Sequence, residues 1–308
     1  MELLFAILLF VVALAVLIIS AKFFTESAER IGLFFGLSPF IIGAVILGVG
    51  TSIPELASSI AGALAGKTEI VAANIMGSNI ANILLIIGIG ALITKQTLVT
   101  KKHETDVHFT FFYLSSLFLI IIAIDKVITF FEGMISVLIF VIYTVFVLKN
   151  KLEKADVQDP VHWFDPFLLI GSIGLIAYSS HLVIKGLIII SEVTSLGTDV
   201  LSASALAIGT SLPELTVSVV ALLKGKHVMS IGNIIGSNIF NSTIGIGVPA
   251  LITALTVSTT TLFVAAPFMF LATIGFGRII AGEEKSISKY EGVLFVLLFL
   301  FFIAQLIS

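Results

Sequence analysis

Apolar runs of roughly 20 residues follow one another from end to end of the chain, parted by short charged or turn-forming clusters. A helix of that length crosses about 30 Å of hydrocarbon. The breaks delimit ten helices, over residues 2–21, 39–65, 70–94, 107–125, 131–149, 163–190, 198–223, 229–254, 257–279 and 290–307. Ser38-Pro39 starts the second well, with serine as cap and proline at the first helical position. The opening run, MELLFAILLFVVALAVLIIS, carries Glu2 where a signal peptide has basic residues. It is also too long for a signal core and no A-x-A cleavage site follows it, so it reads as a spanning helix.

Lys and Arg in the connecting loops orient the helices. Thirteen of the 16 basic residues fall on one face, leaving Lys67, Lys126 and Lys185 on the other. The first face is therefore expected to be cytoplasmic, with both termini outside a cell membrane. Composition agrees: 58% of residues are hydrophobic and 11% charged, against about 25% charged in soluble domains. A net charge of −3 says little where charges are so few, and the absence of cysteine excludes disulfides, thiolate metal sites and cysteine nucleophiles. The expected surroundings are the lipid bilayer, with no nucleic acid, no evident protein partner and a monomeric state. The longest polar stretch, KNKLEKADVQDPVH near 149–162, is too short to be a domain.

Shifted by 159 residues, 50–94 aligns with 209–253 without a gap, and about half of the aligned pairs are identical. This is duplication. Each half holds five helices, and an odd number makes the second half enter the membrane the opposite way. The fold class is thus all-α and polytopic, with ten transmembrane helices as two inverted five-helix repeats. The first half spans 1–150 with its repeat core at 39–94, 151–162 is a cytoplasmic linker, and the second half spans 163–308 with its core at 198–253. That architecture is common among secondary transporters, whose sites lie near the midplane where the halves meet.

The repeat is built around two motifs. GTSIPEL (50–56) recurs as GTSLPEL (209–215), and NIMGSNIAN (74–82) as NIIGSNIFN (233–241). Pro54 lacks an N–H and clashes with the carbonyl four residues back, so it loosens the helix at Gly50. In a bilayer a freed carbonyl must face protein, water or an ion. Thr51 and Glu55 are four apart and share a helical face, as do Ser78 and Asn82, and the second copy repeats this with Thr210 and Glu214 and with Ser237 and Asn241. All these groups donate oxygen, the set that hard cations such as Ca²⁺ and Na⁺ take. The five histidines sit in loops or near helix ends, away from the motifs. A charge at a helix centre costs about 2.5–3.5 kcal/mol, and paired glutamates repel, so a cation or proton must neutralise them. Gly77, Gly88, Gly236 and Gly247 serve close helix packing as readily as a site, and Asn74 and Asn233 serve as interhelical glue as readily as ligands.

The paired GTS-[IL]-PEL and GSNI-x-N motifs in inverted five-helix halves resemble the α-repeats of the sodium/calcium exchangers of the cation/calcium antiporter superfamily. The resemblance implies calcium ligation by Glu55 and Glu214 with the backbone oxygens of Thr51 and Thr210. It implies sodium sites at the Gly48 carbonyl, Thr51 and Ser78 in one half, and at the Ala207 carbonyl, Thr210 and Ser237 in the other. Ser52 and Ser211 would line the pathway, and Asn82 and Asn241 would complete the central position. Asparagine at 241, where the potassium-dependent branch carries aspartate, argues against potassium cotransport. The implied activity is antiport of Na⁺ for Ca²⁺ by alternating access, electrogenic if three Na⁺ exchange for one Ca²⁺, with the first and sixth helices sliding past a rigid core. No cofactor is implied beyond the transported ions.

Three other readings compete. A Ca²⁺/H⁺ antiporter would use the same glutamates, though that branch usually shows GN-x-x-E. A passive channel lacks a filter sequence here. An intramembrane enzyme lacks HExxH, an activated nucleophile or a Walker motif, so the expectation is a gradient-driven carrier and not an enzyme.

Overall fold

The computed structural model describes residues 2–94, 98–99, 102–149, 160–194, 209–281 and 286–307. Its regular structure is helical apart from four two-residue strands. The helices are α1 (Glu2–Phe34), α2 (Pro39–Leu64, interrupted at Ser52), α3 (Thr68–Ile93), α4 (Lys102–Ile122) and α5 (Phe130–Lys149). After them come α6 (Asp165–Thr194), α7 (Leu212–Leu223), α8 (His227–Ile252), α9 (Thr261–Ala265 continued by Ala266–Ala281) and α10 (Lys289–Ile307). Eight are long and apolar enough to cross a membrane, while α7 and the apolar part of α4, Val107–Ile122, are shorter among the described residues. Residues 198–208, expected to begin the seventh helix, lie outside the described residues, as does most of the expected linker.

Burial sorts the helices. In α3 and α8, 83% of the apolar window is buried, against 22% in α1 and α5, so the repeat cores form the centre and the flanking helices face lipid. Ser38 caps α2 as expected, its Oγ accepting from the Ile41 N–H at 3.4 Å. One expected boundary is corrected. α1 does not stop at residue 21 but runs to Phe34. Residues 21–31 contain no glycine or proline to end it, and they bury Phe24, Thr25, Ser27 and Ala28 against neighbouring helices. It ends where Gly36 takes φ +70°, a left-handed conformation that costs glycine nothing.

The polar end of α1 is fastened by charge. Arg30 grips Asp165 of α6, with Nη2 2.5 Å from Oδ1. Glu26 pairs with Lys224 at 2.6 Å, and Glu29 pairs with Lys226, both lysines flanking the α7–α8 turn. Asp165 is fully buried and also accepts the His162 N–H at 2.8 Å. Arg30→Met should strand that carboxylate and cost about 3 kcal/mol. The check is a lowered thermal midpoint in detergent, partly restored by adding Asp165→Asn.

Helix contacts cross between the halves. α1 packs along α6, α5 against the end of α8, and α10 against the end of α3. Strand β1 (Leu98–Val99) pairs with β4 (Ser286–Ile287), and β2 (Val127–Ile128) with β3 (Leu255–Thr256). A Cβ on Gly88 would lie 3.0 Å from the Gly292 carbonyl, and one on Gly247 would lie 2.8 Å from that of Gly133. The 159-residue step turns Gly88 into Gly247 and Gly133 into Gly292, so each contact is the image of the other. Of the glycines left open by the sequence, Gly88, Gly236 and Gly247 are close-packing positions.

Candidate functional site

Four broken or loosened helices meet at the centre. α2 does not continue through its motif: the helix ending at Thr51 and the one starting at Ile53 are separated by Ser52, at φ −89°, ψ 4°. Ser211 takes the same conformation, φ −88°, ψ 5°, just before α7. The cause is local. Pro54 and Pro213 withhold an N–H and clash one turn back, yet suit the first turn of a new helix. Glu55 and Glu214 then fall in the first turn of their half-helices, where a negative charge is favoured by the helix dipole. In the partner helices, the motif asparagines sit in single wide turns. Asn82 lies in a π-turn, Ala81–Ile86, and Asn241 opens another, Asn241–Gly245. Such turns shift the side chains that follow them and recur at functional sites.

The two glutamates are fully buried and act on each other electrostatically. The Ser52 hydroxyl donates to Glu214 Oε1 at 3.0 Å. Among the described residues, no protein group donates to either oxygen of Glu55 or to Glu214 Oε2. The amide groups of Asn82 and Asn241 and the hydroxyl of Ser211 are likewise buried and unpartnered. The turn carrying Asn82 packs against α7, the helix of Glu214, and the turn carrying Asn241 packs against the second part of α2, the helix of Glu55. The helices that carry the carboxylates are thus in contact with the turns that carry the asparagines.

The hydroxyls group differently from the expectation of one set per half. Thr51 lies 3.3 Å from Ser237, and both donate to the Gly48 carbonyl, at 3.5 and 3.2 Å. Ser78 lies 3.0 Å from Thr210. Each cluster therefore joins the second helix of one half to the third helix of the other, because the halves interlock instead of standing side by side. Ala207 lies outside the described residues. A cavity of about 230 Å³, bounded by Ser58, Asn74, Gly77 and Phe302, reaches Thr210.

Several residues were missed or left undecided. Asn79, inside the quoted motif but given no role, donates to Ser242 Oγ at 2.7 Å, and Asn238 donates to the Ile234 carbonyl at 2.7 Å. Asn233 is interhelical glue, donating to Ser218 Oγ at 2.9 Å and accepting from Thr51 at 3.4 Å. No period or motif rule marks these. Only the identity of both copies, Asn79 with Asn238 and Asn74 with Asn233, could have signalled them. Among the described residues no three His, Cys, Asp or Glu side chains gather as a metal site. A cation here needs the hydroxyl, amide and carbonyl oxygens around the two carboxylates, a donor set for a hard ion.

Comparison with known proteins places this geometry. Residues 5–149 and 164–307 match the family described as sodium/calcium exchanger protein. The putative antiporter CaxA of Alkalimonas amylolytica is 31% identical over 306 residues, covering 94% of each chain. The sodium/calcium exchanger MaX1 of Methanosarcina acetivorans is 28% identical over 344 residues, covering 97% of each. A solved structure of the sodium–calcium exchanger NCX_Mj, soaked with zero Na⁺ and Ca²⁺, superposes with a TM-score of 0.83 at 28% identity, covering 99% of each chain. The chain belongs to the sodium/calcium exchanger family.

Proposed function

We propose that the protein is a secondary antiporter that exchanges Na⁺ for Ca²⁺ by alternating access, with Glu55 and Glu214 as the charged ligands of calcium. The observation that carries this reading is the set of buried oxygens without protein donors, three of the four glutamate oxygens and both motif asparagines. A buried acceptor without a partner costs about 1–3 kcal/mol, more when charged. A cation bound there satisfies several at once, so the site suits an ion that enters and leaves. The asparagines complete the central position with Thr51 and Thr210, and Ser52 and Ser211 line the way in. The clusters at Thr51–Ser237–Gly48 and at Thr210–Ser78 flank that position with neutral oxygens, which suit Na⁺. Ala207 is assigned to the second cluster by its repeat relation to Gly48.

Charge then sets the coupling. Two carboxylates balance one Ca²⁺, and three Na⁺ over the same groups leave about one excess positive charge, which makes exchange electrogenic. Shared ligands prevent the two loads from binding together. The inverted pairing of ten helices is supported by the exchange of glycine contacts under the repeat step. It lets the flanking helices α1 and α6 move as a unit against the core. The basic face is placed in the cytoplasm, with both termini outside a cell membrane, and a monomer holds every part of the site.

The test is Ca²⁺ uptake into proteoliposomes loaded with Na⁺ and diluted into Na⁺-free buffer. Uptake should require internal Na⁺ and, with three Na⁺ leaving for each Ca²⁺ that enters, should rise when a diffusion potential makes the interior positive and fall when it makes the interior negative. Indifference to voltage would rule out electrogenic exchange. Uptake that ignores Na⁺ and follows a pH gradient would instead make protons the coupling ion at the same glutamates.

A further inference from the structure

We propose that the groove between α9 and α10 binds one aminophospholipid of the bilayer, its phosphate on Arg278 and its ammonium on Glu291. The groove measures about 610 Å³, with Phe268, Leu271, Leu294 and Leu298 among its walls and Leu84 of α3 at its side. Its walls face outward: Leu271 and Leu294 are exposed on the surface that a bilayer covers. Gly275 lines it with nothing within 4 Å of where a Cβ would stand, so the trench is open at that depth. An acyl chain fits such a trench.

Among the described residues, the two charged ones lining the groove stand at one end of it. Arg278 is in the last turn of α9 and Glu291 in the first turn of α10, the level of headgroups for helices that cross about 30 Å of hydrocarbon. A guanidinium matches the fork of a phosphodiester. A carboxylate beside it disfavours a purely anionic headgroup and accepts hydrogen bonds from a primary ammonium. A quaternary ammonium offers it no N–H. Glu291 is also held in place, because Oε2 accepts the Ser288 N–H at 2.7 Å and its hydroxyl at 2.8 Å. The pair therefore selects phosphoethanolamine over phosphocholine and phosphoglycerol. Leu84 belongs to the π-turn that carries Asn82, so the lipid tail rests against a segment of the central site.

Native mass spectrometry of the full chain in micelles containing equal phosphatidylethanolamine, phosphatidylcholine and phosphatidylglycerol tests this. The wild type should retain phosphatidylethanolamine about tenfold over either competitor, the scale of one charge-assisted hydrogen bond. Glu291→Gln keeps the capping box, which accepts glutamine as well as glutamate, and should erase the preference over phosphatidylglycerol. Arg278→Gln should lose all three lipids, and Gly275→Leu should lower retention by filling the trench. Equal retention of the three lipids by the wild type would overturn the proposal, as would a preference unchanged in Glu291→Gln.

Discussion

Glu55→Gln and Glu214→Gln should each reduce Na⁺-driven Ca²⁺ uptake more than a hundredfold while leaving the folded protein at least as stable as before. The first half follows from charge count. A divalent ion held by two carboxylates and otherwise neutral oxygens loses half its counter-charge with either change, and stranding charge in a buried site costs about 3–5 kcal/mol. The second half follows from the empty state. Two fully buried carboxyls face each other with few donors, and replacing one by a neutral amide removes that like-charge strain. The two halves are read by one experiment. In wild type, added Ca²⁺ should raise the thermal midpoint in detergent by the mass-action stabilisation of a ligand that binds only the folded state. In either variant the midpoint without Ca²⁺ should stay or rise, and the Ca²⁺-dependent increase should vanish. A variant that unfolds early would show the glutamates to be structural, and one that keeps the Ca²⁺ shift would move the site elsewhere. Ser52→Ala, which removes the donor to Glu214 alone, should weaken Ca²⁺ by a smaller factor of about ten, the scale of one hydrogen bond to a charged group.

Gly236→Val should have the largest effect on folding of any single change in the repeat cores. Where α2 crosses α8, main chain rests on main chain. A Cβ on Gly236 would sit 2.0 Å from the Ala44 carbonyl oxygen, one on Gly43 2.1 Å from that of Met229, and one on Gly232 2.4 Å from that of Phe40. No rotamer can relieve these contacts, so the helices must part along the whole seam. Close approach is what holds transmembrane helices together, since lipid is as apolar as their side chains. The loss should reach about 3 kcal/mol or more, and Gly236→Ala should already fail partly. The same helices carry Gly48, Thr51 and Ser237, so transport should fall even in molecules that fold. Gly171→Ala on α6, where nothing lies within 4 Å, is the matched control and should leave the thermal midpoint unchanged or raise it slightly through better helix propensity.

What the sequence made legible is what bilayer physics forces. Span length leads to the helical spans, and the duplicated GTS-x-PEL and GSNI-x-N motifs lead to the helices that meet at the centre. Pro54 and Pro213 announced the breaks at Ser52 and Ser211, because a missing N–H is a local property. The rest was hidden for stated reasons. The length of α1 was misjudged because Glu26, Glu29 and Arg30 look like the end of a spanning segment, and only their distant partners Lys224, Lys226 and Asp165 show why the helix continues. The wide turns at Asn82 and Asn241 depend on packing and carry no signature of their own. The hydroxyl clusters were assigned within halves, whereas Thr51 meets Ser237 and Ser78 meets Thr210. Spacing along one helix reports a shared face but is silent on which helix that face meets.

The fastening at the end of α1 breaks the symmetry that duplication built. The 159-residue step carries Glu26 to Lys185, Glu29 to Ile188 and Arg30 to Ile189, and it carries Lys224 back to Ala65 and Lys226 to Lys67. The opposite face therefore inherits none of these three pairs. A carrier made from two like halves should otherwise rest equally on either side. In the proposed cycle Arg30–Asp165 lies within the moving pair of α1 and α6, so of the three only Glu26–Lys224 and Glu29–Lys226 tie that pair to the core. At about 0–1 kcal/mol each, they would favour the arrangement in which they form by up to about one power of ten. Breaking the clamp should thus change which side the empty protein waits on, without touching an ion ligand. Half-saturating Ca²⁺ measured from the two faces should then draw together, which would place control over the direction of the proposed exchange on lysines and glutamates remote from the proposed ion ligands.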